Sequence, residues 1–263
     1  MSKTLRLSSL LDVSNLCVSV DTTPIVKDLS LSVKPGEVHA IMGPNGSGKS
    51  TLVSALMGHP KYAIDAGSIL FAGENILKLP ADERARLGMF LAFQYPKELA
   101  GVSLRSFLFA ACDAQRQARD PAYRKMSPVK FKVQLEAEMK ALHMDPAFAE
   151  RSVNQGFSGG EKKKAEVLQM RILKPRLALL DETDSGLDVD ALKIVAGGVE
   201  SMRGPDFSAV IVTHYARILE CIVPDRVHVM IHGSIVESGG PELAMKLEKE
   251  GYGKYAHASR RDR

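Results

Sequence analysis

Residues 43–51 of the chain read GPNGSGKST and follow the apolar run EVHAIM at residues 37–42. The nonapeptide fits the pattern G-x-x-x-x-G-K-[ST], and its last two residues open a stretch, STLVSALMG, with the character of a helix. Glycines let backbone N–H groups converge on phosphate oxygens, and a helix N-terminus adds partial positive charge. A strand, this loop and a helix in that order predict a site for a nucleoside triphosphate. We call residues 43–51 the P-loop.

Within the P-loop, Lys49 is expected to reach the β and γ phosphates and Ser50 to ligate Mg²⁺. The residues predicted to bind the nucleotide here are Gly43, Pro44, Asn45, Gly46, Ser47, Gly48, Lys49, Ser50 and Thr51.

Two acids follow a second apolar run, RLALL at residues 176–180. Asp181 and Glu182 would close a buried strand at the carboxyl edge of the sheet, where open α/β folds bind ligands. Asp181 is predicted to hold Mg²⁺ through water, and Glu182 to polarise the attacking water as general base. A third run, SAVIVT, precedes His214, which would lie near the γ phosphate at the same edge. A lone histidine is more often structural, so position alone leaves the role of His214 open.

Composition sets wider limits. The chain has 263 residues, 45% hydrophobic and 25% charged, enough for one large or two modest globular domains. A net charge of +4 suits a phosphate-rich partner without requiring nucleic acid. Three cysteines without paired spacing argue against a disulfide framework and indicate a reducing compartment. No apolar run approaches the roughly 20 residues that cross a bilayer, so direct membrane insertion is not expected.

Strand-like runs alternate with helical ones, which predicts an α/β fold with a largely parallel central sheet. Between Gln94 and Ser158 the pattern changes to two amphipathic helices with no convincing strand between them. We therefore predict an N-terminal arm (1–14), one domain (15–256) and a basic tail (257–263). In that domain a core (15–94 and 159–256) carries an inserted helical subdomain at about 95–158. The compartment would be the cytoplasm, or a plastid or organelle stroma if the arm is a targeting remnant.

The stretch GFSGGEKKK at residues 156–164 breaks a local rule. Lysines in a first helical turn oppose the helix dipole, and broken local rules tend to mark functional or strained sites. The alternative is a solvated charged face after a flexible turn.

The motifs in their order resemble the ATP-binding-cassette (ABC) ATPases, from about Asn15 to Tyr255. The matching positions are the P-loop, Gln94, the signature Ser158-Gly159-Gly160, Asp181-Glu182, the D-loop Ser185-Gly186-Leu187-Asp188, and His214. The resemblance implies a P-loop core sheet, an N-terminal antiparallel β subdomain and an inserted helical subdomain. It also implies ATP and Mg²⁺ as cofactors, and hydrolysis of ATP to ADP and phosphate.

In that family two cassettes pack head to tail, and the signature of one faces the γ phosphate held by the other. By resemblance, Ser158, Gly159, Gly160, Glu161 and Asp188 join the nucleotide site, Ser50, Gln94 and Asp181 hold the metal, and Glu182, His214, Lys49 and Gln94 are catalytic. The lysine run would then be relieved when the opposing phosphates arrive. Many members stack adenine on a first-strand aromatic, where this chain offers only Val20.

Within the superfamily, local sequences resemble the SufC family, the ATPases of Suf iron–sulfur cluster assembly. These sequences are MFLAFQYP, GFSGGEKKK, DETDSGLD, VTHYARIL and GYGKY, and Thr183 stands where transporter cassettes more often have proline. This resemblance implies SufB-like and SufD-like scaffold partners, with closure transmitted through Gln94, Tyr95 and the adjacent helices. The alternatives are an ATPase subunit of a membrane transporter and a nucleic-acid-associated ABC protein. The second is disfavoured because the chain has one cassette and no sustained heptads.

Overall fold

The computed structural model describes residues 9–255. In that range the β-strands are β1 (Leu11–Val20), β2 (Thr23–Val33), β3 (Val38–Met42), β4 (Ala63–Phe71), β5 (Glu74–Asn75), β6 (Met89–Ala92), β7 (Leu99–Ser103), β8 (Ser152–Val153), β9 (Leu177–Asp181), β10 (Ser208–Thr213), β11 (Arg226–Ile231) and β12 (Ser234–Gly239). The α-helices are α1 (Lys49–Leu56), α2 (Ala81–Leu87), α3 (Leu104–Arg119), α4 (Pro128–Ala141), α5 (Gly159–Leu173), α6 (Val189–Glu200), α7 (Arg217–Cys221) and α8 (Glu242–Glu250).

A six-stranded sheet in the order β12-β11-β3-β10-β9-β6 forms the centre of the fold. Within the sheet, adjacent strands from β11 to β6 run parallel to each other. Strand β12 forms one edge and runs antiparallel to β11. Every residue of β3, β9 and β10 is buried, as expected for parallel strands covered on both faces. The predicted α/β fold with a largely parallel sheet is confirmed.

Alternate residues of these strands feed two different cores, because successive side chains of a strand point to opposite faces. Ile41, Leu179 and Val212 pack with α1 and the N-terminal strands in one hydrophobic cluster. Ala40 and Leu180 belong to the other, which contains the inserted helices and α5 to α8. The P-loop helix is therefore held between two sheets.

The N-terminal part is an antiparallel sheet in the order β2-β1-β4-β5, as the family resemblance implied. Its first strand begins at Leu11, four residues before the predicted start of the domain. Leu11 and Val13 are buried and pair with Val33 and Leu31 of β2, so residues 11–14 belong to the sheet and not to an arm. Residues 1–8 of the predicted arm, and the predicted tail at 257–263, lie outside the described residues.

The inserted segment contains α3 and α4, which bury Leu108, Phe131 and Leu135 against the larger core. Sequence patterning missed a two-stranded ribbon in which β7 pairs antiparallel with β8 and so joins the two ends of the insertion. The residues of β7, LAGVS, are mostly exposed and show no alternation, which is why no strand signal arises. Across residues 9–255, no helix has both the length and the apolar character needed to cross a membrane.

Candidate nucleotide site

Four strands of the central sheet deliver the predicted site residues to one edge. The P-loop follows β3, Gln94 follows β6, Asp181 ends β9, and His214 follows β10. Because these strands are parallel neighbours, their carboxyl ends meet at the same edge. A cleft of ≈ 400 Å³ opens there, and its lining residues are Ile25, Asn45, Gly46, Gly48, Lys49, Ser50, Thr51, Gln94 and Glu182.

The P-loop is shaped by close backbone approach. A Cβ at Gly43 would lie 2.2 Å from the carbonyl oxygen of Met230 and 2.9 Å from Ser47 Oγ, so only glycine fits there. Ser47 Oγ is buried without a hydrogen-bond partner among the described residues. A buried hydroxyl in a loop of converging N–H groups is a donor suited to an anionic ligand.

Lys49 lies almost fully buried at the start of α1. Its Nζ donates to the carbonyl oxygens of Gly43 (2.8 Å) and Pro44 (3.0 Å). Burial lowers the pKa of this amine, while the nearby Glu182 and Asp181 carboxylates raise it. Since an ammonium group has three donors, one remains for a phosphate oxygen.

Ser50 and Asp181 form the predicted metal pair, with Ser50 Oγ donating to Asp181 Oδ1 at 2.9 Å. Burial raises the pKa of the Asp181 carboxyl to about 6, against the opposing effect of the Ser50 hydrogen bond. A hydroxyl, a carboxylate and the Gln94 amide oxygen at the rim are hard oxygen ligands of the kind that Mg²⁺ prefers. The residues present fit a magnesium ion bound together with phosphates.

Glu182 adopts a left-handed backbone conformation with φ of 45°. Such a conformation is unusual for a residue with a Cβ, and clusters at functional sites. Its Oε2 accepts a hydrogen bond from Gln94 Nε2 at 2.6 Å, and its Oε1 lies 3.5 Å from His214 Nδ1. His214 Nδ1 has no hydrogen-bond partner among residues 9–255. Tertiary structure thus assembles Gln94, Glu182 and His214 from three strands.

The signature does not line this cleft. Ser158 is the N-cap of α5, its Oγ accepting from the Glu161 N–H while a Glu161 oxygen accepts from the Ser158 N–H. Gly159 is exposed, and Asp188 caps α6 from an exposed position. The structure therefore brings neither the signature nor Asp188 to the cleft of its own chain.

Two of the three lysines in the run, Lys162 and Lys163, have acceptors within the chain and do not depend on opposing phosphates. Lys163 is buried and paired with Glu166 at 3.0 Å, and Lys162 Nζ lies 3.0 Å from a Glu98 oxygen. The capping box at the start of α5 further offsets the dipole with the charge of Glu161. Acceptors within the chain already satisfy the first turn of the helix.

Sequence reasoning missed Ile25, which lines the cleft from β2, whereas Val20 does not line it. An apolar side chain beside the P-loop offers a surface for the base. Its signal was absent because a single isoleucine in a half-buried strand resembles any other strand residue.

A model of the family described as ABC transporter matches residues 26–185. The chain is 54% identical to a probable ABC transporter ATP-binding protein of Streptococcus pyogenes serotype M18, over 93% of this chain and 94% of that one. It is 51% identical to the probable ATP-dependent transporter ycf16 of Cyanophora paradoxa, again over 93% and 94%. A solved dimeric ATP-binding cassette, MJ0796, bound to ADP and Pi in a post-hydrolysis state, superposes with a TM-score of 0.73 at 18% identity, over 88% of this chain and 98% of that one.

Proposed function

This chain belongs to the ABC transporter family of ATP-binding cassettes, and we propose that within this family it is a SufC-like ATPase. On this proposal, ATP binding and hydrolysis drive conformational change in a SufB/SufD-type scaffold for iron–sulfur cluster assembly. The observation that carries the hydrolytic part is the Gln94–Glu182 contact of 2.6 Å beside the Ser50–Asp181 pair. The local sequences GFSGGEKKK and DETDSGLD carry the assembly part.

In the proposed mechanism, P-loop N–H groups and Lys49 hold the phosphates, and Ser50, Asp181 and Gln94 hold Mg²⁺. When bound, the metal ion would neutralise negative charge that develops on the phosphates. Glu182 accepts a proton from the attacking water, and the Gln94 hydrogen bond fixes the orientation of its carboxylate. His214, next to Glu182, then donates toward the γ phosphate.

Two chains are needed to complete the site on this proposal. The signature is exposed and absent from the cleft of its own chain, so its hydroxyl and free N–H groups are available to a second copy. The dimeric form of MJ0796 with ADP and Pi supports such an arrangement. Each nucleotide would then lie between one P-loop and the opposing Ser158, Gly159 and Asp188.

Exposed apolar side chains next to Gln94 support a protein partner at this position. The Tyr95 side chain is 74% exposed and Phe93 42%, and Leu99 and Val102 of β7 are also exposed. Clusters of exposed apolar residues mark interaction sites. We propose that the scaffold docks here and senses closure through Gln94.

The second candidate is the ATPase subunit of a membrane transporter. The S. pyogenes relative is named a probable ABC transporter ATP-binding protein and the Cyanophora relative a probable ATP-dependent transporter, and these names favour it. Its phosphate chemistry is the same, and the two candidates differ only in the partner.

A tagged pull-down from a membrane-free lysate with MgATP, read by mass spectrometry, tests the partner. Recovery of SufB-like and SufD-like scaffolds, with ATPase activity raised in their presence, supports the assembly role. If that lysate yields no partner and a parallel pull-down from the solubilised membrane fraction recovers a polytopic protein, the result supports the transporter.

Hydrolysis itself is tested with Glu182→Gln, which should lower kcat by about 10²–10⁴-fold, because the amide cannot accept a proton. ATP affinity should stay within a few-fold of wild type, measured by equilibrium binding of a fluorescent ATP analogue. An unchanged kcat would remove Glu182 from the mechanism.

A further inference from the structure

A buried ion pair lies inside the helix that carries the signature. Lys163 and Glu166, on adjacent turns of α5, are each only 4% exposed, and Lys163 Nζ lies 3.0 Å from Glu166 Oε2. Charges buried this deeply are costly unless other groups use their hydrogen-bonding capacity. The other hydrogen-bond partners of Lys163 and Glu166 therefore indicate the role of the pair.

Both charged groups bind the backbone of one residue, Phe93. Glu166 Oε1 accepts a hydrogen bond from the Phe93 N–H at 2.8 Å, and Lys163 Nζ donates to the Phe93 carbonyl oxygen. Phe93 as a whole is 42% exposed, so these partly buried hydrogen bonds to its backbone are what anchor it. The two members of one ion pair thus hydrogen-bond to the peptide groups on both sides of the Phe93 Cα.

The next residue is Gln94, whose amide nitrogen contacts Glu182 at 2.6 Å. Phe93 lies just beyond the last residue of β6, outside the sheet ladder that would otherwise hold its backbone. A displacement of α5 relative to β6 would therefore move Gln94, and a hydrogen bond this short does not survive a shift of about 1 Å.

We propose that Lys163 and Glu166 are positioning residues that hold Gln94 against Glu182, and that they couple the position of the signature helix to the hydrolytic centre of the same chain. The inference rests on the proposed ATP hydrolysis. Stability alone is a poor explanation of the pair, because well-packed apolar residues of similar volume can replace buried ion pairs at little cost.

The test is a double-mutant cycle between the pair and Gln94, in the full chain. Lys163→Met/Glu166→Leu should lower kcat by about tenfold or more, since misplacement of about 1 Å can cost 10²-fold. ATP affinity should change by less than about threefold, because the pair does not line the cleft. In a Gln94→Ala background the same double substitution should cause no further loss of kcat.

A matched control is Arg171→Met/Glu138→Leu, which removes another ion pair of α5, one with 2.6 Å between Nε and Oε2. That pair joins α5 to α4 and touches no residue of the cleft, so its loss should leave kcat near wild type. If the effects of Lys163→Met/Glu166→Leu and Gln94→Ala multiply, the pair is merely structural and the inference is overturned.

Hydrogen exchange at the Phe93 amide tests whether Lys163 and Glu166 hold the Phe93 backbone, without any catalytic readout. The inference predicts faster exchange in Lys163→Met/Glu166→Leu and wild-type exchange in the control, and unchanged exchange in both would overturn it. If wild-type protein hydrolyses no ATP, the proposed function fails. The exchange measurement still shows whether the ion pair holds the Phe93 backbone.

Should the apolar variant not fold, Glu166→Gln replaces it in the same cycle. Its amide oxygen keeps an acceptor for the Phe93 N–H, but the charge that orients Lys163 is gone. The expected fall in kcat is smaller than for the apolar pair and again absent in the Gln94→Ala background. A fall that persists undiminished in that background would contradict the inference.

Discussion

At the level of the single residue, position 43 has no room for a Cβ atom, so only glycine fits there. The space its Cβ would take is filled by the Met230 carbonyl at 2.2 Å, which belongs to β11. The P-loop is therefore pressed against a neighbouring strand, and its N–H groups can converge only while that approach is preserved.

Gly43→Ala should lower the free energy of unfolding by about 1–3 kcal/mol, because the added methyl overpacks a backbone contact. The displaced loop should also bind ATP more weakly. Urea denaturation and equilibrium ATP binding measure both effects. Gly204→Ala, where a Cβ meets no described atom within 4 Å, is the control and should be near wild type.

At the scale of the element, helix α1 is held at both ends. Its N-terminus is the P-loop, and Arg84 of α2, 2% exposed, donates to the carbonyl oxygens of Ala55 and Leu56 at its C-terminus. The same guanidinium also binds the carbonyl oxygens of Leu77 and Leu79. A cation satisfies terminal carbonyls and complements the negative end of the helix dipole.

Arg84→Met should lower the free energy of unfolding by roughly 3 kcal/mol or more, since several buried carbonyls lose their donor. Chemical denaturation monitored by circular dichroism measures the change. Arg86→Met on the same helix removes only a half-exposed pair with Asp82, and a shift of under about 1 kcal/mol is expected there. Equal effects of the two substitutions would contradict the capping role.

The neighbouring strands β3 and β11 each contribute one histidine, His39 and His228, to a buried pair. His39 Nδ1 lies 3.0 Å from His228 Nε2, His39 Nε2 lies 3.0 Å from Glu37, and His228 Nδ1 lies 2.7 Å from Ser238 Oγ. Burial, with repulsion from His39 and Arg226, lowers the pKa of His228 to about 4. Burial also lowers the pKa of His39, although Glu37 opposes this.

We expect the pair to make folding sensitive to acid. Between pH 6.5 and about 4 the unfolded chain binds a proton that folded His228 does not, so stability is full above 6.5 and is lost as the pH falls. We expect a loss of about 2 kcal/mol between pH 7.5 and 5 from this group. Urea titrations at the two pH values measure it, and His228→Gln should reduce the pH dependence by that amount. An unaltered pH dependence in the variant would assign the acid sensitivity elsewhere.

At the level of the whole molecule, the proposed nucleotide site would be divided between two surfaces. The P-loop cleft and the signature are both present in the chain, yet the signature does not line the cleft. On the proposed arrangement, a second copy of the chain would cover the exposed start of α5.

Gly159→Ala separates folding from assembly. A Cβ at Gly159 meets no described atom within 4 Å, so thermal stability should be unchanged. If phosphates of a second chain pack against it, the methyl should cost about 1–3 kcal/mol and raise the dimer dissociation constant about ten- to hundredfold. Analytical ultracentrifugation with MgATP in a Glu182→Gln background measures this, with Gly197→Ala, which is equally uncrowded, as control. A dimer as tight as the control's would place the interface elsewhere.

The features of this protein that depend on contiguous residues could be predicted from its amino-acid sequence. The P-loop was predictable because a phosphate is held by consecutive backbone N–H groups, and the parallel sheet because strands buried on both faces must be apolar at every position. The ends of β9 and β10 likewise predicted where Asp181 and His214 lie.

Contacts between distant segments became apparent only in the folded chain. The Gln94–Glu182 hydrogen bond, the Arg84 cap and the grip of Lys163 and Glu166 on Phe93 each join residues on different elements. No local period encodes which partner a buried charge will meet, and so the sequence did not predict that Lys163 binds Glu166 and the Phe93 carbonyl of its own chain. The physical reason is that a charge in the interior takes whichever partner the packing of the elements brings within hydrogen-bonding distance.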